Sequence, residues 1–156
     1  MGPNGNRYKV VVVDDEAVAV KAICCIIENQ CPEFEVVGTA GNGSEALELI
    51  GRTSPDLVLT DVEMPVLNGL ELVREASGRQ PNLCFCIISG YQDFEYARDA
   101  FRGGVLDYLT KPIVPSQMLR TMKNVEEKLR KFYYDRRVGI FRKICMGETI
   151  ALEEIQ

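Results

Sequence analysis

The sequence predicts an α/β fold built on a doubly wound parallel sheet, and three observations carry that expectation. Five short segments rich in β-branched and apolar residues alternate with five stretches of helical periodicity. The first segment, YKVVVV, is apolar almost without interruption, as strands covered on both faces are. The connections are long enough for helical crossovers, and right-handed crossovers leave few topologies.

The first strand is expected at 8–13, followed by Asp14-Asp15-Glu16 and a helix over Ala17 to Asn29. Residues 34–40 (FEVVGTA) make the second strand, and Ser44 is a cap candidate for a helix ending near Arg52. After Pro55, residues 56–60 (DLVLT) form a third strand that ends at Asp61. A loop with Pro65 and Asn68-Gly69 leads to a helix over about 69–77, with Gly78 as its stop signal. The fourth strand is expected at 83–88 (LCFCII), ending at Ser89-Gly90. A helix over Asp93 to Phe101 follows, closed by Gly103-Gly104. Residues 105–109 (VLDYL) form the fifth strand, which Thr110-Lys111-Pro112 ends.

The last helix begins near Ser116. Leu119, Met122, Val125, Leu129, Ile140 and Ile144 recur at helical spacing in a pattern reaching Met146. That length is about 45 Å if fully helical, more than a small α/β domain covers. Either the helix breaks near Tyr134-Asp135 or Gly139, or its distal half projects and pairs with a partner helix.

The chain has 156 residues, enough for one domain with an appendage, and a formal charge of −5. The acidic balance argues against a generic nucleic-acid binder. Residues 120–143 hold nine Lys/Arg against three Asp/Glu, a stretch best read as a solvated basic helix face. There is no histidine, so no Ser-His-Asp or Cys-His nucleophile and no His-containing zinc site can be built. Any histidine chemistry must come from a partner. Six cysteines occur without a CxxC spacing, which suits small buried thiols in a reducing cytosol. Met1 to Arg7 lacks the apolar core of a signal peptide, and the longest apolar runs are too short to span a bilayer. A cytoplasmic location without membrane contact is expected.

The polar residues of interest cluster where strands end. Asp14 and Asp15 end the first, Asp61 the third, Ser89 the fourth and Lys111 the fifth. In open α/β sheets that edge is where ligands bind. Three neighbouring carboxylates repel unless a cation sits among them, and Mg²⁺ suits such oxygen donors while keeping positions open for phosphate oxygens. With Lys111 as a second positive group and Ser89 as a hydroxyl donor, the set suits phosphoryl transfer.

In VVVVDDE, LVLTDVEMPVLNGLEL, IISGYQDFEYARDAF and GVLDYLTKP, in this order and spacing, the sequence closely resembles the receiver domain of two-component response regulators. The resemblance covers residues 7–131 and leaves 132–156 as a linker helix and the start of a following segment, so that the chain is a candidate fragment. It implies a flavodoxin-like (βα)5 sheet of order 2-1-3-4-5 with an extended C-terminal helix. It further implies that Asp61 is the phosphoacceptor, with Asp14, Asp15 and the backbone carbonyl of Glu63 completing a Mg²⁺ site. Lys111 would bind phosphate, and its bond to Pro112 is usually cis in this family, a feature that can aim a side chain. Ser89 would engage the phosphoryl group, and Tyr108 would turn inward with it. The implied donor is a phosphohistidine on a sensor histidine kinase. The domain would be a signalling phosphoacceptor rather than an enzyme acting on an outside substrate.

Phosphorylation would then switch the surface made by the fourth helix, fifth strand and fifth helix. A homodimer through that face or through the C-terminal helix is expected. The YQDFEYARDAFRGGVLDYLTKPI stretch is similar to receivers attached to AraC-type DNA-binding domains, which implies transcriptional control, with DNA contacted only through an output domain absent from this chain. Glu63 and Tyr91 occupy positions that vary among receivers and tune dephosphorylation, and Asn68 stands where Asp is common.

Taken singly, Asp14-Asp15 is a helix cap, Lys111 a surface lysine, Ser89-Gly90 a turn and Tyr108 a core-edge aromatic. Gly41-Asn42-Gly43 reads as a turn, because the remaining spacing of a phosphate loop is missing. Two further functions stand beside the receiver: a phosphorylation-independent interaction scaffold, and an aspartyl-phosphate phosphatase. The phosphatase usually carries D-x-D after the first strand, where this chain has Asp-Asp-Glu. A flavin carrier would need a Ser/Thr/Gly-rich loop there.

Overall fold

The computed structural model describes residues 5–64, 67–90 and 105–145, of which 140–145 as backbone only. The elements are β1 (Tyr8–Val13), α1 (Ala17–Gln30), β2 (Phe34–Ala40), α2 (Gly43–Thr53), β3 (Leu57–Asp61), α3 (Gly69–Arg79), β4 (Cys84–Ser89), β5 (Val105–Thr110) and α4 (Pro115–Cys145). The helix expected over 93–101 lies outside the described residues. All strand pairs are parallel, in the order β2-β1-β3-β4-β5. This is the flavodoxin-like order.

The uninterrupted apolar strands follow from burial on two faces. Val10, Val12, Leu57, Leu59, Cys84, Cys86 and Ile88 face one layer, formed by Ile23, Ile26 and Ile27 of α1 and Met118, Met122, Val125 and Leu129 of α4. Val11, Val13, Val58, Phe85 and Ile87 face the other, formed by Ala46, Leu49 and Ile50 of α2 and Leu72, Val73 and Ala76 of α3. Successive side chains alternate between the layers, so both sets are apolar until the strands near their C-terminal ends, where Thr60, Asp61 and Ser89 are buried. Cys31, Cys84 and Cys86 are buried free thiols in the first layer.

Several local expectations need correction. The cap of α2 is Asn42, not Ser44, because Asn42 Oδ1 accepts the Glu45 N–H at 2.8 Å. Gly78 does not stop α3, which runs to Arg79 before Pro81. A Cβ at Gly78 would meet only open space, so nothing there demands a turn. The last helix starts at Pro115, whose missing N–H costs nothing at a first helical position.

α4 is continuous for 31 residues, with no break at Tyr134-Asp135 or Gly139. Its first half buries Met118, Met122, Val125 and Leu129, while Tyr134 is 66% exposed. Between them Tyr133 stacks on Tyr8, with ring centroids 6.1 Å apart, and Phe132 meets Tyr133 edge-on at 5.4 Å. No helix among the described residues is long and apolar enough to cross a membrane.

Candidate functional site

The parallel ladder carries three chemically active residues to one edge of the sheet. Asp14 follows β1 and extends it, donating its N–H to Ala40 O at 3.1 Å. Asp61 is the last residue of β3. Lys111 follows β5, donating its N–H to Ser89 O at 2.8 Å, and the Lys111–Pro112 bond is cis.

The Lys111 ammonium lies between two buried acids. Its Nζ is 2.9 Å from Asp61 Oδ2 and 3.0 Å from Asp14 Oδ2, with Glu16 Oε1 at 3.6 Å. It hydrogen-bonds to Asp61. Its contact with Asp14 is an ion pair without hydrogen-bond alignment, and Asp14 Oδ2 is left buried with no hydrogen-bond partner. Asp14 Oδ1 accepts the Glu16 N–H at 2.9 Å, and Asp61 Oδ1 the Glu63 N–H at 3.3 Å.

Burial raises the Asp61 carboxyl above its usual range; the Lys111 hydrogen bond pulls it back, and the Asp14 charge adds to the rise. Burial alone would lower Lys111, but its hydrogen bond to Asp61 and the negative charges of Asp61 and Asp14 outweigh that and hold the ammonium charged.

Asp14, Asp15 and Glu16 each offer an oxygen within 4.8 Å of the others. Asp15 and Glu16 are exposed, and Asp14 is buried. This donor set suits a hard divalent cation, and Asp14 Oδ2, ion-paired to Lys111 but accepting no hydrogen bond from the described residues, lies at its inner end. The three carboxylates expected to gather, Asp14, Asp15 and Asp61, thus share one edge, with Lys111 bridging Asp14 and Asp61. Glu16 joins them, although sequence reasoning did not single it out. It is the N-cap residue of α1 but makes no capping bond with its side chain, which faces Lys111 instead.

Ser89 is fully buried, and its Oγ has no hydrogen-bond partner among the described residues. Tyr108 is partly buried against the α2/α3 layer, its Cα opposite Ile87. Tyr91 lies outside the described residues. Asn68 caps α3 by accepting the Glu71 N–H at 2.9 Å. The next residue must be glycine, because a Cβ at Gly69 would lie 2.2 Å from the Asp61 carbonyl oxygen.

An open depression of about 710 Å³ lies over this edge, lined by Asp15, Glu16, Asp61, Glu63, Gly90 and Lys111 among others. A hollow of about 820 Å³ between the end of α3 and α4 carries Arg79, Asn82 and Arg136 but no gathered carboxylates.

Residues 10–123 match the response regulator receiver domain family. An uncharacterized transcriptional regulatory protein, YesN of Bacillus subtilis (strain 168), is 36% identical over 124 residues, which cover 80% of this chain and 34% of the relative. The transcriptional regulatory protein HptR of Staphylococcus aureus is 39% identical over 111 residues, 71% of this chain and 43% of that protein. The matched stretches therefore span less than half the length of these curated relatives. Among solved structures, the REC domain of AraT, a response regulator from Geobacillus stearothermophilus, is 39% identical with a TM-score of 0.73, covering 80% of this chain and 96% of that one. A two component transcriptional regulator AraC from Clostridium phytofermentans is 28% identical with a TM-score of 0.72, covering 80% and 97%.

Proposed function

Because this chain belongs to the response regulator receiver domain family, we propose that it is the phosphoaccepting unit of a two-component transcriptional regulator, with Asp61 as the acceptor. The observation that carries this reading is the Lys111 ammonium held between the carboxylates of Asp14 and Asp61, at the edge where the buried Ser89 hydroxyl has no partner.

An Asp61 oxygen attacks the phosphorus of a phosphohistidine on a sensor kinase. The new O–P bond forms as the P–N bond breaks, and the electron pair leaves with the imidazole nitrogen, which takes a proton. Mg²⁺, when bound, offsets the charge of the acids and phosphoryl oxygens. Asp14, Asp15, Asp61 and the Glu63 carbonyl would hold it, with Glu16 at the rim. Lys111 follows the negative charge from the carboxylate to the phosphoryl group. The Ser89 hydroxyl donates to a phosphoryl oxygen and so satisfies a hydrogen bond it lacks otherwise. Tyr108 turns inward with it, and two states of the β5–α4 surface change population.

Residues 7–131 form the receiver in this reading, and 132–156 lead to an AraC-type output domain that contacts DNA. The projecting half of α4 pairs with a second copy. Domain and kinase meet in the cytoplasm. Intact mass after acetyl phosphate with Mg²⁺ tests the central step. An adduct of about 80 Da, one phosphoryl group, is expected on the wild type and absent from Asp61→Ala. An adduct on both, or on neither, overturns it.

A further inference from the structure

The outward route of the signal has a specific anchor in β5. The β4–β5 register slips between Phe85 and Cys86, so that Val105 faces Phe85, Asp107 faces Cys86, and Leu106 is the extra residue of a bulge. The Leu106 carbonyl accepts a hydrogen bond from Lys128 Nζ of α4 at 2.5 Å. Beside it, the Asp107 carboxylate is shared. Its Oδ1 accepts the Tyr108 backbone N–H at 2.8 Å, and its Oδ2 accepts Asn124 Nδ2 at 2.6 Å. Asn124 and Lys128 stand one turn apart on α4, so both bonds leave the same helix face.

We propose that Asp107 and Asn124 are positioning residues that fasten α4 to the residue before Tyr108, so that the state of Tyr108 sets the placement of the helix. This rests on the phosphoacceptor reading above and adds the route of transmission. Apolar packing such as that of Met122 and Val125 resists separation but tolerates small sliding. A charge-assisted hydrogen bond fixes distance and direction together. β5 is the last strand of the sheet and pairs with β4 alone among the described strands, so shifting it breaks fewer ladder bonds than shifting an inner strand. The Tyr108 N–H is taken by a side chain that is itself bound to α4. A displacement of the Tyr108 backbone therefore moves Asp107, and Asp107 moves Asn124. Further along the same helix, Tyr133 hydrogen-bonds to Asp56 at the opposite edge of the sheet.

Hydrogen exchange of α4 amides tests this on the full chain, with and without acetyl phosphate and Mg²⁺, and with the phosphorylated fraction read by intact mass in the same samples. The wild type is expected to change its α4 exchange on phosphorylation. Asn124→Ala is expected to phosphorylate to the same extent and melt as a folded protein, while the α4 change falls at least threefold. Asn124→Gln, which keeps the amide donor, restores part of the response. Asp107→Ala removes the acceptor that Asn124 and the Tyr108 N–H share; it reproduces the loss and serves if Asn124→Ala fails to fold. A full α4 response in phosphorylated Asn124→Ala and Asp107→Ala overturns the coupling, as does a phosphorylated wild type whose α4 does not respond. A wild type that takes no phosphoryl group overturns the phosphoacceptor reading instead, and the coupling with it.

Discussion

The Tyr133 hydroxyl donates a hydrogen bond to Asp56 Oδ1 at 2.5 Å, joining residues 77 apart in sequence. The other oxygen, Asp56 Oδ2, accepts the Lys9 N–H at 2.8 Å. One carboxylate therefore ties α4 to the start of β1, at the sheet edge opposite Asp61. Tyr133→Phe keeps the ring stack on Tyr8 but loses this bond, which costs about 1–2 kcal/mol. Asp56→Ala costs more, because the tyrosine hydroxyl and the Lys9 amide both lose their acceptor. Urea unfolding should show lower midpoints at unchanged slope, in that order.

The same region sets an alkaline limit. Burial pushes the Cys84 thiol from the usual 9.0 up to about 11, with the Asp56 charge adding to the rise. Tyr133 is raised too, by burial first and then by its bond to Asp56. The folded state thus holds protons that the unfolded state releases. This stability is fully present below pH 9 and is lost as the pH rises through 11. Melting temperatures measured from pH 8 to 11 should fall over that window, and the fall should be shallower in Cys84→Val.

Ser89→Ala separates stability from signalling. The wild-type hydroxyl is buried without a partner, so its removal should leave stability unchanged or raise it by up to about 1 kcal/mol. The α4 response to phosphorylation should nevertheless weaken. A thermal melt decides the first part, and a loss above about 1 kcal/mol would mean that the hydroxyl is satisfied in the folded protein.

Lys111→Met leaves Asp14 and Asp61 facing one another without their shared cation. The expected cost is about 3 kcal/mol, the scale for removing one member of a buried ionic group. Millimolar Mg²⁺ should recover part of it, raising the melting temperature of the variant more than that of the wild type. Calorimetry with and without Mg²⁺ checks both statements.

Strand positions were legible because each apolar run ends at a polar residue that the edge requires: Asp14, Asp61, Ser89 or Lys111. The third and fourth strands end at Asp61 and Ser89 as read but start one residue later, at Leu57 and Cys84, and the fifth runs one residue further, onto Thr110. Asn42 and Ser44 both flank Gly43 with cap-capable oxygens. Only the placement of the helix start shows which one reaches the Glu45 N–H. Glu16 was not legible as part of the site, because an exposed acid beside an acidic pair reads as solvated until Lys111 is brought across from the end of β5. The Asp107–Asn124 bond depends on the bulge at Leu106. A bulge comes from the register between two strands, and neither strand encodes that alone.

β1 is walled in on every side. β2 and β3 flank it, α1 and α4 cover Val10 and Val12, and α2 and α3 cover Val11 and Val13. It is nevertheless the earliest of these elements to leave a ribosome. Its valines stay bare until β3 and α4 emerge, and the contacts that shelter them span most of the domain. A nascent or proteolysed chain that stops short of Pro115 would therefore present a sticky β-branched strand to its neighbours, which makes α4 a requirement for escaping aggregation.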